Sequence, residues 1–315
     1  MQLAQFEYLK LLYQTGNFSQ AAQKLGITQP ALTLQVQKLE EETGFKLIDR
    51  SKRPLQFTRE GEVFFQKTLE ILQMVEQLKT ISLEMSEEVT GKLVAGIIPT
   101  LAPYLVPLFI HDLYAGFPNL QVDIKELRTE EIIAGLKLGT IDCGVLSTPV
   151  SARALQFEPL FYERFFVYVS ENHRLFSKEE IALDEIPGED TWYLEEGNCF
   201  QNQVDSICQI KAQKRGQNLV YRSSSIESLR RIVENKNGLT FIPELATINI
   251  PAEQEDLVKP IAGIQPVREI SMATTKNAAR ERQVAALIRV IKKSIPKRML
   301  EKPAVRVIDP DLKIG

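Results

Sequence analysis

Cysteine is scarce in this chain, with three in 315 residues. A small secreted fold stapled by disulfides is excluded on that count. Cys199 and Cys208 stand nine positions apart, which is neither a Cys-x-x-Cys pair nor a zinc-ligand spacing. No metal or other cofactor is expected. Long hydrophobic runs are absent: no stretch reaches the roughly 18 apolar residues of a membrane span. The N-terminus lacks a basic segment followed by an apolar core, so no export signal is expected. The reducing cytoplasm is the expected location, where any disulfide is transient. A strong net charge is absent too; the formal value of −3 says nothing by itself for nucleic acid. What remains is an ordinary globular composition, long enough for two or three domains.

Charge is unevenly spread. Residues 1–60 carry eight Lys/Arg, gathered in Lys46, Arg50, Lys52, Arg53 and Arg59. Residues 2–14 put Leu3, Phe6, Leu9 and Tyr13 on one side of a helix. Asn17-Phe18-Ser19 offers a capped start for a short Ala-rich helix, 20–25. Gly26-Ile27-Thr28 turns the chain, and Gln29-Pro30 opens a further helix that ends before Gly44. Helix, short turn with Gly, helix is the helix-turn-helix pattern. On the second helix Leu32, Val36 and Leu39 form a core stripe, while Pro30, Thr33, Leu34 and Gln37 point the other way. In a major groove Thr33 and Gln37 can bond base edges and Leu34 can touch a thymine methyl. A solvated face on a small helical hairpin is the competing reading. The stretch 51–59 reads as two short strands around a turn, a basic wing placed for phosphates.

Thr58 can cap a long helix from Arg59 to Glu88. Phe64, Ile71, Leu78 and Met85 recur every seven residues, with Met74 and Ile81 on the same side, which makes a coiled-coil seam. Thr90-Gly91 is the expected hinge. Beyond it strand-like runs (93–98, 120–127, 143–146, 165–169, 192–194, 219–222, 239–242, 268–274) alternate with helical ones (102–114, 130–138, 200–214, 226–234, 278–293). Alternation of this kind indicates an α/β domain with largely parallel sheet. Residues 296–315, with three prolines and many charges, read as a loose tail.

One segment, 194–208, holds two of the three cysteines. Gly197 and Asn198 favour a backbone break, and nothing after Phe200 breaks a helix. Cys199 then sits at a helix N-terminus, where unpaired N–H groups and the dipole favour a thiolate. Along a helix nine residues put the two Cα atoms about 13 Å apart. A disulfide needs less than about 7 Å, so joining them requires the helix to come apart. Inert packing cysteines are the competing reading, and it is the expected one for Cys143 in its apolar strand.

Ala21-Ala22, Leu25, Gln29-Pro30-Ala31-Leu32-Thr33, Val36, Leu39-Glu40, Gly44, Leu47, Arg50 and Leu55, Thr58 and Gly61 resemble the winged helix-turn-helix of LysR-type transcriptional regulators. The usual Ser at 33 is Thr here, and the usual Phe at 48 is Ile. The resemblance implies a winged helix-turn-helix domain over 1–58, of all-α type, and a dimerising linker helix over 59–89. It further implies a two-lobed α/β effector domain like a periplasmic binding protein over 90–296, crossed near Glu163 and Gln265, and a tail over 297–315. Gly96-Ile-Ile-Pro-Thr-Leu-Ala-Pro-Tyr-Leu-Val-Pro107, Asp142-Cys143, Leu194-Glu-Glu-Gly197 and the Cys199/Cys208 spacing are similar to the peroxide-sensing branch of that family.

The resemblance to that branch makes Cys199 the peroxidatic cysteine and Cys208 the resolving one. Thr100, Thr129 and Gln203 become donors toward hydrogen peroxide, and Arg268 the stabiliser of the thiolate. The branch has His before the reacting cysteine; Asn198 stands here, and a neutral amide carries no proton at neutral pH. Thr100 and Thr129 each also read as helix caps. Gln29, Pro30, Thr33, Leu34, Gln37, Arg50, Lys52 and Arg53 are the implied DNA contacts. Promoter DNA, RNA polymerase and further copies of the chain, as a dimer of dimers, are the implied partners. Two other readings stay open: a regulator that binds a metabolite between the lobes, and a thiol peroxidase. An enzyme has no use for the helix-turn-helix or the linker helix, so none is expected.

Overall fold

The computed structural model describes residues 1–84, 88–152, 154–195, 198–208, 221, 223–235, 238–263, 265–276, 278–305 and 307–310, with the side chains of 80, 82–84 and 208 outside the description. The chain divides into two units, one built on residues 1–87 and the other on most of 88–315.

In the first unit α1 (Leu3–Thr15), α2 (Phe18–Leu25) and α3 (Gln29–Thr43) precede a ribbon of β1 (Ile48–Asp49) and β2 (Gln56–Phe57), and α4 (Arg59–Glu84) follows. The caps explain the boundaries. Asn17 accepts from the N–H groups of Ser19 and Gln20 to start α2, and Thr28 accepts from Ala31 to start α3, with Pro30 in the first turn. Gly26 and Gly44 end these helices at φ 68° and 78°, a region side chains rarely adopt. Leu9, Leu12, Leu32, Val36, Leu39, Leu47 and Phe65 form the core.

Glu40 is buried inside this small unit. Its carboxylate accepts from the backbone N–H groups of Leu47 (2.9 Å) and Ile48 (3.3 Å) and pairs with Lys46 and Arg50. It thereby fastens the ribbon to α3. The other end of the ribbon is fastened by Thr58, which donates to the Lys46 carbonyl and caps α4 through Gly61 N–H.

On α4 the expected seam divides. Phe64 packs within its own unit, edge-on to Phe6 and Phe45. Ile71, Met74, Leu78 and Ile81 are exposed, Leu78 by 68%. Met85 lies outside the described residues.

The second unit follows the alternation expected of it. β3 (Gly91–Ile97), α5 (Ala102–Gly116), β4 (Leu120–Glu126), α6 (Thr129–Leu138) and β5 (Cys143–Thr148) form one half. The long strand β6 (Leu155–Val169) leads to β7 (Thr191–Trp192), α7 (Cys199–Cys208), α8 (Ile226–Asn235), β8 (Leu239–Pro243) and β9 (Val258–Pro260). β10 (Val267–Thr275), α9 (Glu281–Ser294) and α10 (Lys297–Leu300) complete it. The strand expected at 219–222 lies outside the described residues apart from Tyr221.

Among the described residues the strands order as β4-β3-β5-β10-β6-β8-β7, with β9 also on β6. β3 pairs parallel with β4 and β5, whereas β10 is antiparallel to both β5 and β6. The largely parallel sheet expected from the alternation is therefore corrected to a mixed one, because β10 runs antiparallel to both its neighbours and β6 antiparallel to β8, β9 and β10. β6 pairs with β10 as far as Arg164 and with β8 from Phe165 onward. An apolar core lies on each side of that exchange, one around Leu93, Phe109, Val145 and Leu287, the other around Val167, Val204, Leu229 and Phe241.

The loose tail read from the charges and prolines of 296–315 is corrected as far as residue 310. Met299 and Ile308 are buried, Ile308 N–H donates to the Val267 carbonyl, and Asn202 Nδ2 donates to the Pro310 carbonyl. Two apolar anchors and sheet-like hydrogen bonding outweigh the solvation of the intervening charges.

A Cβ on Gly61 would meet the Leu47 carbonyl oxygen at 2.0 Å, backbone that cannot step aside. Gly61→Ala is therefore expected to lower the unfolding free energy by about 1–3 kcal/mol, read by denaturant titration of the full chain.

Candidate functional site

Cys199 opens α7. Asn198 accepts a hydrogen bond from Phe200 N–H at 3.0 Å, the capping geometry read from the sequence. Gln201 Oε1 accepts from Leu194 N–H at 2.8 Å and so pins the preceding loop back onto the helix. The first residues of α7 straddle the two cores: Cys199 packs with the first, Phe200 and Val204 with the second. The backbone of Cys208 closes the same helix; its side chain lies outside the described residues.

Cys199 is 6% exposed and lines a small cleft with Ile98, Pro99, Thr100, Arg128, Thr129, Glu130, Glu195 and Asn198. The space open to the centre of a water-sized molecule is about 20 Å³. That admits one or two small oxygen species, and falls far short of the roughly 300–1,000 Å³ of a metabolite pocket. A wider groove of about 430 Å³ lies elsewhere in this unit, beside Arg164, Glu244 and Arg298, and both arginines already pair with Glu244.

Three groups favour negative charge on the sulfur: the Arg268 guanidinium, the Thr129 hydroxyl, which donates to it, and Phe200 N–H. Burial opposes them, with a smaller contribution from Glu130, and burial prevails, so the Cys199 thiol is held above its ordinary value. The helix terminus alone therefore does not make this sulfur a thiolate. Cys143 is buried in β5, and burial with the neighbouring Asp142 pushes its thiol far up.

Arg268 is wholly buried. Its Nη1 donates to Thr100 Oγ1 at 3.1 Å and its Nη2 to the Thr100 carbonyl at 3.3 Å. Its guanidinium lies 4.8 Å from the Phe200 ring centroid. Thr100 therefore caps no helix; its oxygen receives Arg268. Thr129 stands within the first turn of α6, where the side chain that turns back to the backbone is Glu131, accepting from Arg128 N–H. Arg128 itself reaches across to pair with Glu195 at the rim of the cleft.

Of the residues singled out in the sequence, Thr100, Thr129, Asn198 and Arg268 gather around Cys199. Gln203 does not line the cleft. Its amide donates to Ser147 Oγ at 3.1 Å and to the Ile308 carbonyl at 2.8 Å. Sequence reasoning missed Glu163 as a site residue, although it placed a crossing there. Glu163 Oε1 accepts from Arg268 Nε at 2.7 Å, across strands 105 positions apart, and no local pattern announces such a partner.

On α3 Gln29, Pro30, Leu34 and Gln37 are exposed and Thr33 half-buried; Leu34 is 51% exposed, an open apolar residue on the face opposite the core. Lys52 and Arg53 are exposed on the ribbon. Arg50 is partly engaged, pairing with Glu40 and stacking 5.4 Å from the Phe18 ring.

Residues 3–62 match the model of the bacterial regulatory helix-turn-helix protein, lysR family, and residues 86–296 match the LysR substrate binding domain. The chain belongs to the LysR family of transcriptional regulators. Among LysR-type relatives it is 32% identical to the hydrogen peroxide-inducible genes activator of Haemophilus influenzae, over 86% of this chain and 90% of that protein. A full-length OxyR variant from Pseudomonas aeruginosa superposes with a TM-score of 0.74 at 26% identity, covering 93% of this chain and 98% of that one. An H2O2-bound OxyR mutant from Corynebacterium glutamicum gives 0.59 at 25% identity, over 93% and 92%. The LysR assignment makes the chain a DNA-binding transcriptional regulator with its helix-turn-helix in residues 3–62.

Because the thiolate is the form that alkylates, Cys199 in the folded protein is expected to react with iodoacetamide more slowly near pH 7 than in denaturant. The gap closes as the pH rises past about 8.5 and through the raised folded value. Thr129→Val removes a donor to the sulfur and is expected to slow Cys199 a further 2–10-fold, roughly one hydrogen bond's worth, read by mass spectrometry of the labelled peptide.

Proposed function

We propose that this regulator senses hydrogen peroxide through Cys199 and activates oxidative-stress genes, with Cys208 as the resolving thiol. The observation that carries the reading is the cleft at Cys199: room for a peroxide and not for a metabolite, lined by Thr100 and Thr129 and backed by Arg268. The H2O2-bound relative and the activators among the relatives support it.

The Cys199 thiolate attacks one peroxide oxygen. The O–O bond breaks, the sulfur becomes a sulfenic acid, and hydroxide leaves and takes up a proton to form water. The Cys208 thiol then displaces water from the sulfenic acid to form the disulfide. Burial leaves the thiolate a minority species near neutral pH, so the rate depends on stabilising the leaving hydroxide. Thr100 accepts from Arg268, which leaves its own O–H to donate toward the cleft, and Thr129 offers a second hydroxyl beside the sulfur. Asn198 caps the helix and takes no part in proton transfer. Gln203, committed to Ser147 and Ile308, acts by holding α7.

A helix of ten residues holds Cys199 and Cys208 at its two ends, about 13 Å apart, so disulfide formation unwinds α7. The exposed stripe of Ile71, Met74, Leu78 and Ile81 on α4 supports pairing with a second copy, extended to a dimer of dimers through the effector units. Unwinding α7 then resets the spacing of the DNA-reading elements on promoter DNA and the approach of RNA polymerase.

Low peroxide is expected to give a Cys199–Cys208 bond by mass spectrometry and a changed footprint on promoter DNA. Cys199→Ser is expected to give neither; a Cys199→Ser protein that responds like the unmodified one sinks the reading. Steady consumption of peroxide with a thiol reductant would instead favour a peroxidase. For DNA, the logarithm of affinity is expected to fall linearly with the logarithm of salt, and Lys52→Ala to reduce the slope by about one phosphate contact.

A further inference from the structure

Glu163 and Arg268 face one another across β6 and β10, in register, and both side chains are completely shielded from solvent. Arg268 Nε and Nη2 both approach Glu163 Oε1 at 2.7 Å. Glu163 Oε2 accepts from Leu245 N–H at 3.1 Å. All of these partners are donors, which favours the ionised carboxylate against its burial, the largest influence on it, which pushes the carboxyl up. With one edge of the guanidinium held in this way, one hydrogen each of Nη1 and Nη2 points along the terminal edge, where they meet Thr100.

We propose that Glu163 is the positioning residue of the sensor, aiming Arg268 at Thr100 and offsetting part of the guanidinium charge that reaches Cys199. The inference rests on the reading of Cys199 as the reacting sulfur. Two separable effects follow from one side chain. The aim is geometric: a planar fork gripped along one edge presents the other in a fixed direction, and Thr100 then turns its O–H toward the cleft. The charge effect is electrostatic: a carboxylate behind the guanidinium weakens the pull of Arg268 on the sulfur. In a buried site the pair interacts strongly, so the offset is large.

Among the described residues, the charged and titratable groups around the sulfur are few. Arg268 faces it from β10 and Glu130 from α6, and the Arg128–Glu195 pair stands at the cleft rim. Glu244, paired with Arg164 and Arg298, bears on Glu163 from behind. Removing the Glu163 charge therefore leaves the Arg268 charge less opposed at the sulfur, against the same burial.

The test uses the reduced full-length protein, with alkylation of Cys199 followed across pH peptide by peptide and its oxidation by hydrogen peroxide timed in parallel. Glu163→Gln is expected to move the alkylation midpoint down by about one unit, which makes labelling near pH 7 about tenfold faster. Glu163→Asp keeps the charge and retracts the grip by one methylene. It is expected to leave the midpoint in place while slowing peroxide oxidation several-fold. A purely structural role would lower thermal stability and leave both readouts at wild-type values. A folded Glu163→Gln protein with an unshifted midpoint overturns the proposal, as does a Glu163→Asp protein oxidised at the wild-type rate. Should Glu163→Gln not fold, Glu163→Asp decides. If wild-type Cys199 resists peroxide, the sensing function fails, while the alkylation midpoints still decide the placement of Glu163.

Discussion

A guanidinium with no access to water is among the most expensive groups a protein can hold, and Arg268 is such a group. Desolvation alone costs several kcal/mol per ion, so burial is tolerable only with a carboxylate in good geometry and the other donors matched. Glu163, Thr100 and the Phe200 ring meet those demands from three different parts of the chain. The consequence is architectural. β6, β10, the loop before α5 and the start of α7 must all arrive at one point, and the cysteine is next in line. The cleft beside Cys199 thus lies where one charge is neutralised inside a sheet whose strand β6 runs past both cores.

Most of the architecture could be read in advance because it is written in local chemistry. Asn17, Thr28 and Thr58 mark helix starts, and Gly26 and Gly44 mark ends, each through a bond or a dihedral that needs only nearby residues. The apolar alternation after Gly91 likewise foretold strands and helices in order. What sequence could not carry was pairing at a distance. Arg268 was reachable by resemblance, while Glu163 was visible only as a crossing point, because the register that joins them belongs to the sheet. Gln203 was placed beside the sulfur on resemblance; its position on α7 turns it toward Ser147 and the tail. The charge state of Cys199 was read from the helix end and from Arg268, and that reading omitted the burial which outweighs both.

The division of α7 between two cores sets how the effector unit can respond. A helix rooted in one core could shift with little effect on the other. Here Cys199 belongs to one cluster while Phe200 and Val204 belong to the next, so any rebuilding of the first turn disturbs packing on both sides of the β6 exchange. Interiors at crystal-like density rearrange between discrete packings rather than yielding by degrees.

The fastening of residues 308 and 310 to this helix has a mechanical meaning. Gln203 and Asn202 donate to the carbonyls of Ile308 and Pro310, and Ile308 in turn docks against β10 through Val267. The helix and the terminal strap share one set of tethers, so neither can travel alone. Whatever winds or unwinds the one either drags the other along or must first cut it loose.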